Sequence, residues 1–570
     1  MTPAVRSSTP RFKIPTGSAM LWLLPLGFLG LFFFYPLGVI FSASFSHQAL
    51  AVTPAGWQRI FSTTLFTIWQ AALSTLLTFA VGLPGAYLLA RFDFRGRRFL
   101  QVLTSLPFIL PTVVVAAGFT ALLGPRGWLN LALMALFHLA DPPVRILGTL
   151  PTILLAHVFY NTTIVLRLVG GAWAGLNPRP GLAARTLGAT PWQEFSQITL
   201  PLLAPAIASA AVLVFLFDFT SFGVIMLLGG AGLATLEVEI YTQAIHLFNL
   251  PTAAILTMVQ FAITLILFII NKKVSTRPIP LIPAAERMTA RRPSTPRQHL
   301  FTIGMSLVMV LLIISPLLAL VTRSFTRLEA DRGQRTGVQT GLTTDYYTAL
   351  FQNPRGNIFY VPPVDAVANS LRYALWTAVL AVGLGLPAAY GLNGRGRFAR
   401  WMDVLFMLPL GASAVTMGLG LLLAFTRPPL NWAAFPWMIP AAHTLVALPL
   451  VLRTLLPALA SIPPSLRQSA AVLGADPLRA FLQVDLPLLR RPLITSLIFS
   501  FTVSLGEFGA TTFLARPEYP TIPIAIFRYL SQPGALNYGQ AMALSTILLL
   551  LFLLGMLLIE KLRLPGMEVF

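Results

Sequence analysis

AARTLGATPWQEFSQITLP (Ala183–Pro201) and SAAVLGADPLRAFLQVDLP (Ser469–Pro487) decide the architecture of this chain. In each, a short Ala-containing stretch runs into a Gly, and the sequence later reaches a β-branched residue and a Leu-Pro pair. Gly188 precedes Ile198 by ten positions, and Gly474 precedes Val484 by the same ten. The two stretches lie 286 residues apart in a chain of 570, which points to a duplicated unit.

The same offset pairs His157 with His443, Arg167 with Arg453, Pro178 with Pro464 and Pro201 with Pro487. It also pairs Phe222-Gly223 with Phe508-Gly509, and Thr235 with Thr521. Nearer the start of each half the offset grows to 303, pairing GLPGAY (Gly82–Tyr87) with GLPAAY (Gly385–Tyr390). The first half therefore carries an insertion, best placed around Gly124–Gly148, where a loop tolerates added residues.

Composition sets the environment. The chain is 56% hydrophobic and 10% charged, with a mean hydropathy of +0.77, which no soluble domain of this length shows. A helix needs about 20 mostly apolar residues to cross a bilayer. Candidate spans lie at 19–43, 64–90, 99–123, 149–170, 204–229 and 251–270, then at 300–322, 367–392, 401–425, 438–458, 492–514 and 541–560. The expected fold is an all-α integral membrane protein of about twelve transmembrane helices. Six spans per half give both halves one orientation, so the repeats are parallel. The expected division is a first half over 1–273, a Pro-rich basic cytoplasmic linker over 274–298, and a second half over 299–570.

The net charge of +21 invites a nucleic-acid reading, but the cations mark topology instead. Arg6, Arg11 and Lys13, the RFDFRGRR loop (Arg91–Arg98), Arg179 and Arg185, and the linker cations fall on one side of the expected spans. So do Arg395, Arg397, Arg400, Arg490, Arg491, Lys561 and Arg563. The positive-inside rule makes that side, with both termini, cytoplasmic. The exception is the long external segment Arg323–Asp365, which holds five Arg and four carboxylates, and loops of that length obey the rule less strictly. The basic start leads into an apolar run with no small-residue cleavage site, so an uncleaved first span is expected. Absence of cysteine excludes disulfides, thiolate metal sites and cysteine nucleophiles.

Each repeated loop should form a short helix, a Gly turn and a second turn of helix, with Pro201 or Pro487 opening the next span. The pattern resembles the cytoplasmic EAA loop of binding-protein-dependent ABC importer permeases. The matching positions are Ala183, Ala184, Gly188, Ile198, Leu200 and Pro201, and again Ser469, Ala470, Gly474, Val484, Leu486 and Pro487. Leu182 and Gln468 stand where that family has Glu. The resemblance implies a type I importer permease in a cell (inner) membrane, each loop seating one of two cytoplasmic ATPase subunits. It also implies an external solute-binding protein that delivers the solute. The fused form, LGGAGLATLEVEIY (Leu228–Tyr241) and SLGEFG (Ser504–Gly509) resemble thiamine-type permeases, with ferric-iron permeases as the alternative. A P-loop ends in Gly-Lys-Ser/Thr, yet none of the four lysines (Lys13, Lys272, Lys273, Lys561) follows Gly, so energy must come from elsewhere.

Ionisable residues within spans are costly and face the protein interior. Asp218 and Glu507 fall in the external half of the fifth span of each repeat and are the candidates for the translocation path, where carboxylates favour a cationic solute. They are not repeat equivalents: Ser221 is the counterpart of Glu507. Structural bonding to a neighbouring helix is the competing reading. His157 and His443 lack metal-ligand spacing and are expected to bridge helices. Arg167 and Arg453 are expected to snorkel to the membrane edge. No metal site, cofactor, nucleic-acid partner or catalytic constellation is expected. A gradient-driven secondary transporter is the alternative of another class, and a multi-span enzyme would need clustered acids or histidines, which the sequence lacks.

Overall fold

The computed structural model describes residues 18–46, 53–230, 232–275, 290–330, 338–352, 362–393, 397–426, 431 and 435–562. Eleven helices among them are long and apolar enough to cross a membrane, and a bent pair supplies a twelfth span. The first half contributes Leu21–Ser44, Pro54–Arg91, Thr112–Phe137, Leu150–Gly175, Pro191–Phe219 and Leu250–Val274. The second contributes Pro296–Ser324, Pro363–Leu392, the pair Trp401–Gly411 and Ala414–Phe425, Met438–Ala460, Pro477–Gly506 and Ala535–Ile559. The all-α, twelve-span, two-half architecture is the one expected.

Local chemistry shifts several boundaries. The second span begins at Pro54 rather than near 64, because the Thr53 side chain accepts from Gly56 N at 3.2 Å and Pro54 suits the first turn. Gln58 and Arg59 hide that turn from a hydropathy reading. The third span is not continuous over 99–123: Pro107 and Pro111 divide it into Arg97–Leu103, Leu106–Ile109 and Thr112–Leu123. Its counterpart bends by 94° between Gly411 and Ala414, with the Ser413 hydroxyl capping the new helix at Thr416 N. The fifth and eleventh spans also break. The fifth stops at Phe219 and resumes at Gly223–Leu228; the eleventh stops at Gly506 and resumes at Gly509–Leu514.

Equivalent contacts recur in the two halves. A Cβ on Gly82 would stand 2.7 Å from Val165 Cβ, and one on Gly385 would stand 2.6 Å from Val451 Cγ1. These glycines let the second and fourth spans of each half approach closely, as small residues do where apolar solvent gives helices no hydrophobic drive to associate. Thr67 Oγ1 accepts from Leu236 N at 3.0 Å, and Ser370 Oγ accepts from Ile522 N at 2.8 Å. The insertion around Gly124–Gly148 is a helix, Trp128–Phe137. Its buried Asn130 donates to Gly124 O and Val144 O and accepts from Val144 N, which folds the insertion onto itself.

Two features depart from a purely helical expectation. Thr326–Ala330 pairs antiparallel with Val338–Leu342 in the long segment after the seventh span. The end of the linker lies against the second span: Arg291 N donates to Arg91 O, and Asp93 N donates to Arg291 O. Most of the expected linker, 276–289, lies outside the described residues, as do Arg6, Arg11, Lys13 and Arg563.

Candidate functional site

The two repeated loops fold alike. Helix Arg179–Thr186 ends in Gly188 at φ +90°, and helix Pro464–Val472 ends in Gly474 at φ +82°. In the first, Gly188 N donates to Arg185 O and Ala189 N to Ala184 O. In the second, Gly474 N donates to Ala471 O and Ala475 N to Ala470 O. This crossed pair of bonds requires a left-handed residue at the turn, which is why Gly recurs there. It also gives Ala184 and Ala470 a backbone role, while Ala183 and Ser469 face outward.

After the turn the chains restart with different caps. Thr190 and Gln193 form a reciprocal capping box, and the Asp476 carboxylate accepts from Arg479 N at 2.6 Å. Each restart then runs without interruption through Leu200-Pro201 or Leu486-Pro487 into the membrane, so the Pro does not open a helix as expected. A single wide turn, Phe195–Thr199 or Phe481–Asp485, immediately precedes it. Pro lacks an N–H and crowds the carbonyl four residues back, and the wider turn relieves both. Ile198 and Val484 are half-buried members of those turns.

The loops are anchored differently. In the first, Arg185 pairs with Glu194, and Gly181 leaves room for that carboxylate: a Cβ there would stand 2.5 Å from Glu194 Oε1. In the second, Arg467 Nε donates to Asp485 Oδ1 at 2.8 Å, and the Tyr390 hydroxyl donates to Asp485 Oδ2 at 2.8 Å. The Tyr of the GLPxAY repeat thus reaches the loop. Tyr390 packs on Phe481 at 5.6 Å between ring centroids, whereas Tyr87 reaches Phe195 through Trp173. Leu187 is 89% exposed and its equivalent Leu473 is 87% exposed. Trp192 and Leu478, also equivalent, project apolar groups beside them. Each loop thus carries two exposed apolar side chains among polar neighbours.

Asp218 and Glu507 are both buried, at 0% and 8% exposure, and each is taken up by the histidine of its half. His157 Nδ1 lies 3.3 Å from Asp218 Oδ1 and 2.9 Å from Ser74 Oγ, while Nε2 lies 2.8 Å from Ser221 Oγ. His443 Nδ1 lies 2.6 Å from Ser504 Oγ, while Nε2 lies 3.1 Å from Glu507 Oε2 and 2.8 Å from Thr511 Oγ1. Glu507 also accepts from Ala510 N, Thr511 N and the Thr511 hydroxyl, satisfying the first turn of Gly509–Leu514. The histidines do bridge helices, joining the fourth span to the break in the fifth. Arg167 does not simply snorkel: its Nη2 donates to Ser105 Oγ at 2.7 Å, in the broken third span.

One residue beyond each break partner stands a phenylalanine. Phe222 and Phe508 stack on one another at 5.4 Å between centroids and 23° between planes. They are equivalent positions, so their contact lies on the axis relating the halves. Tyr241 packs on Phe222 and Phe527 on Phe508, another equivalent pair, and Phe513 packs on Tyr241. Gly223 and Gly509 follow because a Cβ would meet Thr112 or Ala414, at the starts of the post-break helices of the third and ninth spans.

Two buried acids escaped the sequence reading. Glu239 pairs with Arg59 at 3.0 Å and accepts from Gln243, and Glu237 accepts from Gln260. Their signal was present in LEVEIY, two acids in an apolar run, but they lie on a short helix between spans, Leu236–Tyr241. Among the described residues no group of three or more His, Cys, Asp or Glu could hold a metal ion.

The family model for the binding-protein-dependent transport system inner membrane component matches this chain twice, over residues 82–280 and 381–563. Each match contains one repeated loop. The thiamine transport system permease protein of Brucella abortus (strain 2308) is 28% identical over 515 residues, covering 89% of this chain and 88% of the relative. That of Escherichia coli (strain K12) is 27% identical over 519 residues, covering 88% of this chain and 89% of the relative. A probable ABC transporter permease protein of Sinorhizobium fredii (strain NBRC 101917 / NGR234) is 24% identical and covers 81% of this chain and 80% of the relative. Among solved structures, a bacterial alginate ABC transporter in complex with alginate pentasaccharide-bound periplasmic protein is 20% identical. It covers 46% of this chain and 95% of that chain, with a TM-score of 0.37.

Proposed function

Because the chain belongs to the binding-protein-dependent transport system inner membrane components, carrying the family's unit twice in one polypeptide, we propose that it is the permease through which thiamine enters the cell. Two separate ATPase subunits drive it, one seated on each repeated loop, and an external binding protein delivers the solute. The matched left-handed glycines with their exposed Leu187 and Leu473 tips carry the docking assignment. The relatives described above favour thiamine over ferric iron as the solute. The chain itself performs no chemistry.

The path runs between the halves, where the stacked Phe222 and Phe508 close it on the axis. Asp218 and Glu507 flank that closure. Both are already engaged with histidine, so they set the shape and field of the path rather than offering free carboxylates to the solute.

The test is reconstitution of the chain with its ATPase and binding protein in proteoliposomes. ATP-dependent uptake of labelled thiamine, unaffected by excess ferric iron, is the expected result. Uptake driven by an ion gradient with no ATPase bound would make the chain a secondary transporter. Ferric-iron uptake without thiamine uptake would reassign the solute.

On this reading both termini, the linker and both loops face the cytoplasm, which the distribution of basic residues supports. The chain has no cysteine, so a single Cys reports cleanly. A Cys at Ser294 is expected to resist an impermeant maleimide in whole cells and to react in inverted vesicles. Labelling in whole cells would overturn this topology.

A further inference from the structure

Each of the two buried histidines has one acid and one serine on opposite edges of its ring, with their places exchanged between the halves. Gln70 at His157 Nδ1, Asn161 donating to Asp218 Oδ1 and Thr511 at His443 Nε2 belong to one half only. Asp218 and Ser504 are repeat equivalents, and so are Ser221 and Glu507. In the first half the acid faces Nδ1 of His157 and the hydroxyl faces Nε2. In the second half the hydroxyl faces Nδ1 of His443 and the acid faces Nε2. Each half therefore keeps its acid and the serine of the fifth or eleventh span on opposite edges of an equivalent ring, with their places traded. A further hydroxyl lies beside the acid, Ser74 in the first half and Thr511 in the second. Ser74 and Thr377, also equivalent, lie beside these groups, Ser74 at His157 Nδ1 and Thr377 as the acceptor of the Ser504 hydroxyl.

The physical reason is one of satisfaction. A buried imidazole has two ring nitrogens that each need a partner, and a buried carboxylate needs a donor. One acid and one hydroxyl meet the ring's needs in either order, because the imidazole can carry its proton on either nitrogen. The acid's own donor differs with its place, Asn161 for Asp218 and the Ala510 and Thr511 N–H groups for Glu507. Two hydroxyls leave the site without the acid's anchoring bond. Two acids place like charges beside one ring.

We infer that His157 and His443, each with its acid and hydroxyl, are positioning residues for the closure between the halves, and that the acid works from either place. The residues at the break, Ser221 and Glu507, immediately precede the stacked Phe222 and Phe508. Tying them to the fourth and tenth spans fixes where each broken helix resumes, and hence where each ring lies on the axis. The first half accepts the exchange more readily. A Glu at 221 meets the first-turn N–H groups of Gly223–Leu228, which lack intrahelical acceptors, as Glu507 does in its own half. This inference rests on reading the chain as a permease with its path between the halves.

The test uses Asp218→Ser, Ser221→Glu and the double variant in the full chain, expressed with its ATPase and binding protein. Two readouts are taken. One is thiamine uptake. The other is cross-linking between Cys placed at Phe222 and Phe508 by a short bifunctional thiol reagent, which needs no solute. Each single variant is expected to lower uptake and cross-linking by about tenfold, the scale set by one buried partner lost or one like charge added. The double variant is expected to recover most of both.

A double variant no better than Asp218→Ser, or one that fails to reach the membrane, overturns the inference. So does an Asp218→Ser variant that transports and cross-links like the parent. Absence of thiamine uptake in the parent chain would count against the transport reading alone, since the cross-linking comparison still decides the exchange.

Discussion

Gly188→Val and Gly474→Val are each expected to leave the chain in the membrane yet abolish most of its ATP-driven uptake. Both glycines sit at positive φ, and a Cβ at either would meet nothing within 4 Å, so backbone strain is the whole of the effect. A left-handed conformation costs an L-residue roughly 1–2 kcal/mol, and a β-branched one more. The cheapest escape is to open the turn, which releases the bonds from Ala189 to Ala184 or from Ala475 to Ala470 and moves the Leu187 or Leu473 tip. Uptake should fall about tenfold or more, in line with that strain. ATPase retained on the purified chain should fall with it, for either variant alone. Gly96→Val is the control, since Gly96 has φ +90° and the same open surroundings but lies on the loop between the second and third spans. If Gly96→Val loses the ATPase equally, or if neither loop variant does, the docking assignment is wrong.

The second large effect is on the fold itself. Gly82→Val and Gly385→Val each push a side chain into Val165 or Val451 across the pairing of the second and fourth spans of their half. Overpacking of this kind costs about 1–3 kcal/mol, and more where helix backbones must separate. Both variants should show a lowered unfolding temperature in detergent and reduced accumulation in the membrane. Combining Gly82→Val with Val165→Gly returns the lost volume from the other side of the interface and should restore part of the stability. A Gly82→Val variant as stable as the parent would mean that the second and fourth spans do not pack as described. A double variant worse than either single change would carry the same message.

Much of this was legible in the sequence, for reasons that differ by feature. The spans follow from the apolar runs, and the duplication follows from a fixed offset that survives where geometry admits few residues. Gly188 and Gly474 recur because a left-handed turn selects glycine, and Gly82 and Gly385 because a neighbouring helix leaves no room. Hydropathy did not reveal the broken spans, because a chain that stops and resumes helix inside protein keeps its apolar character throughout. The first turn of the second span was hidden by Gln58 and Arg59. The partners of Asp218 and Glu507 were beyond reach, since His157 and His443 lie 61 and 64 residues from the acids they meet. The two acids do not align, so the repeat itself concealed that they serve equivalent rings. The antiparallel pair Thr326–Ala330 and Val338–Leu342 gave little signal, because two short strands of mixed polarity do not stand out within a long polar segment.

Stacking between Phe222 and Phe508 also bears on heredity. In an assembly of two identical chains, a contact on the axis joins a residue to its own copy, and any substitution there strikes both faces at once. Here the two faces are written by separate codons. A change at Phe222 can be tried while Phe508 stays as it was, and a rearrangement beside one ring need not be matched beside the other. An acid at 218 in one half and at 507 in the other is a state that no pair of identical chains can occupy.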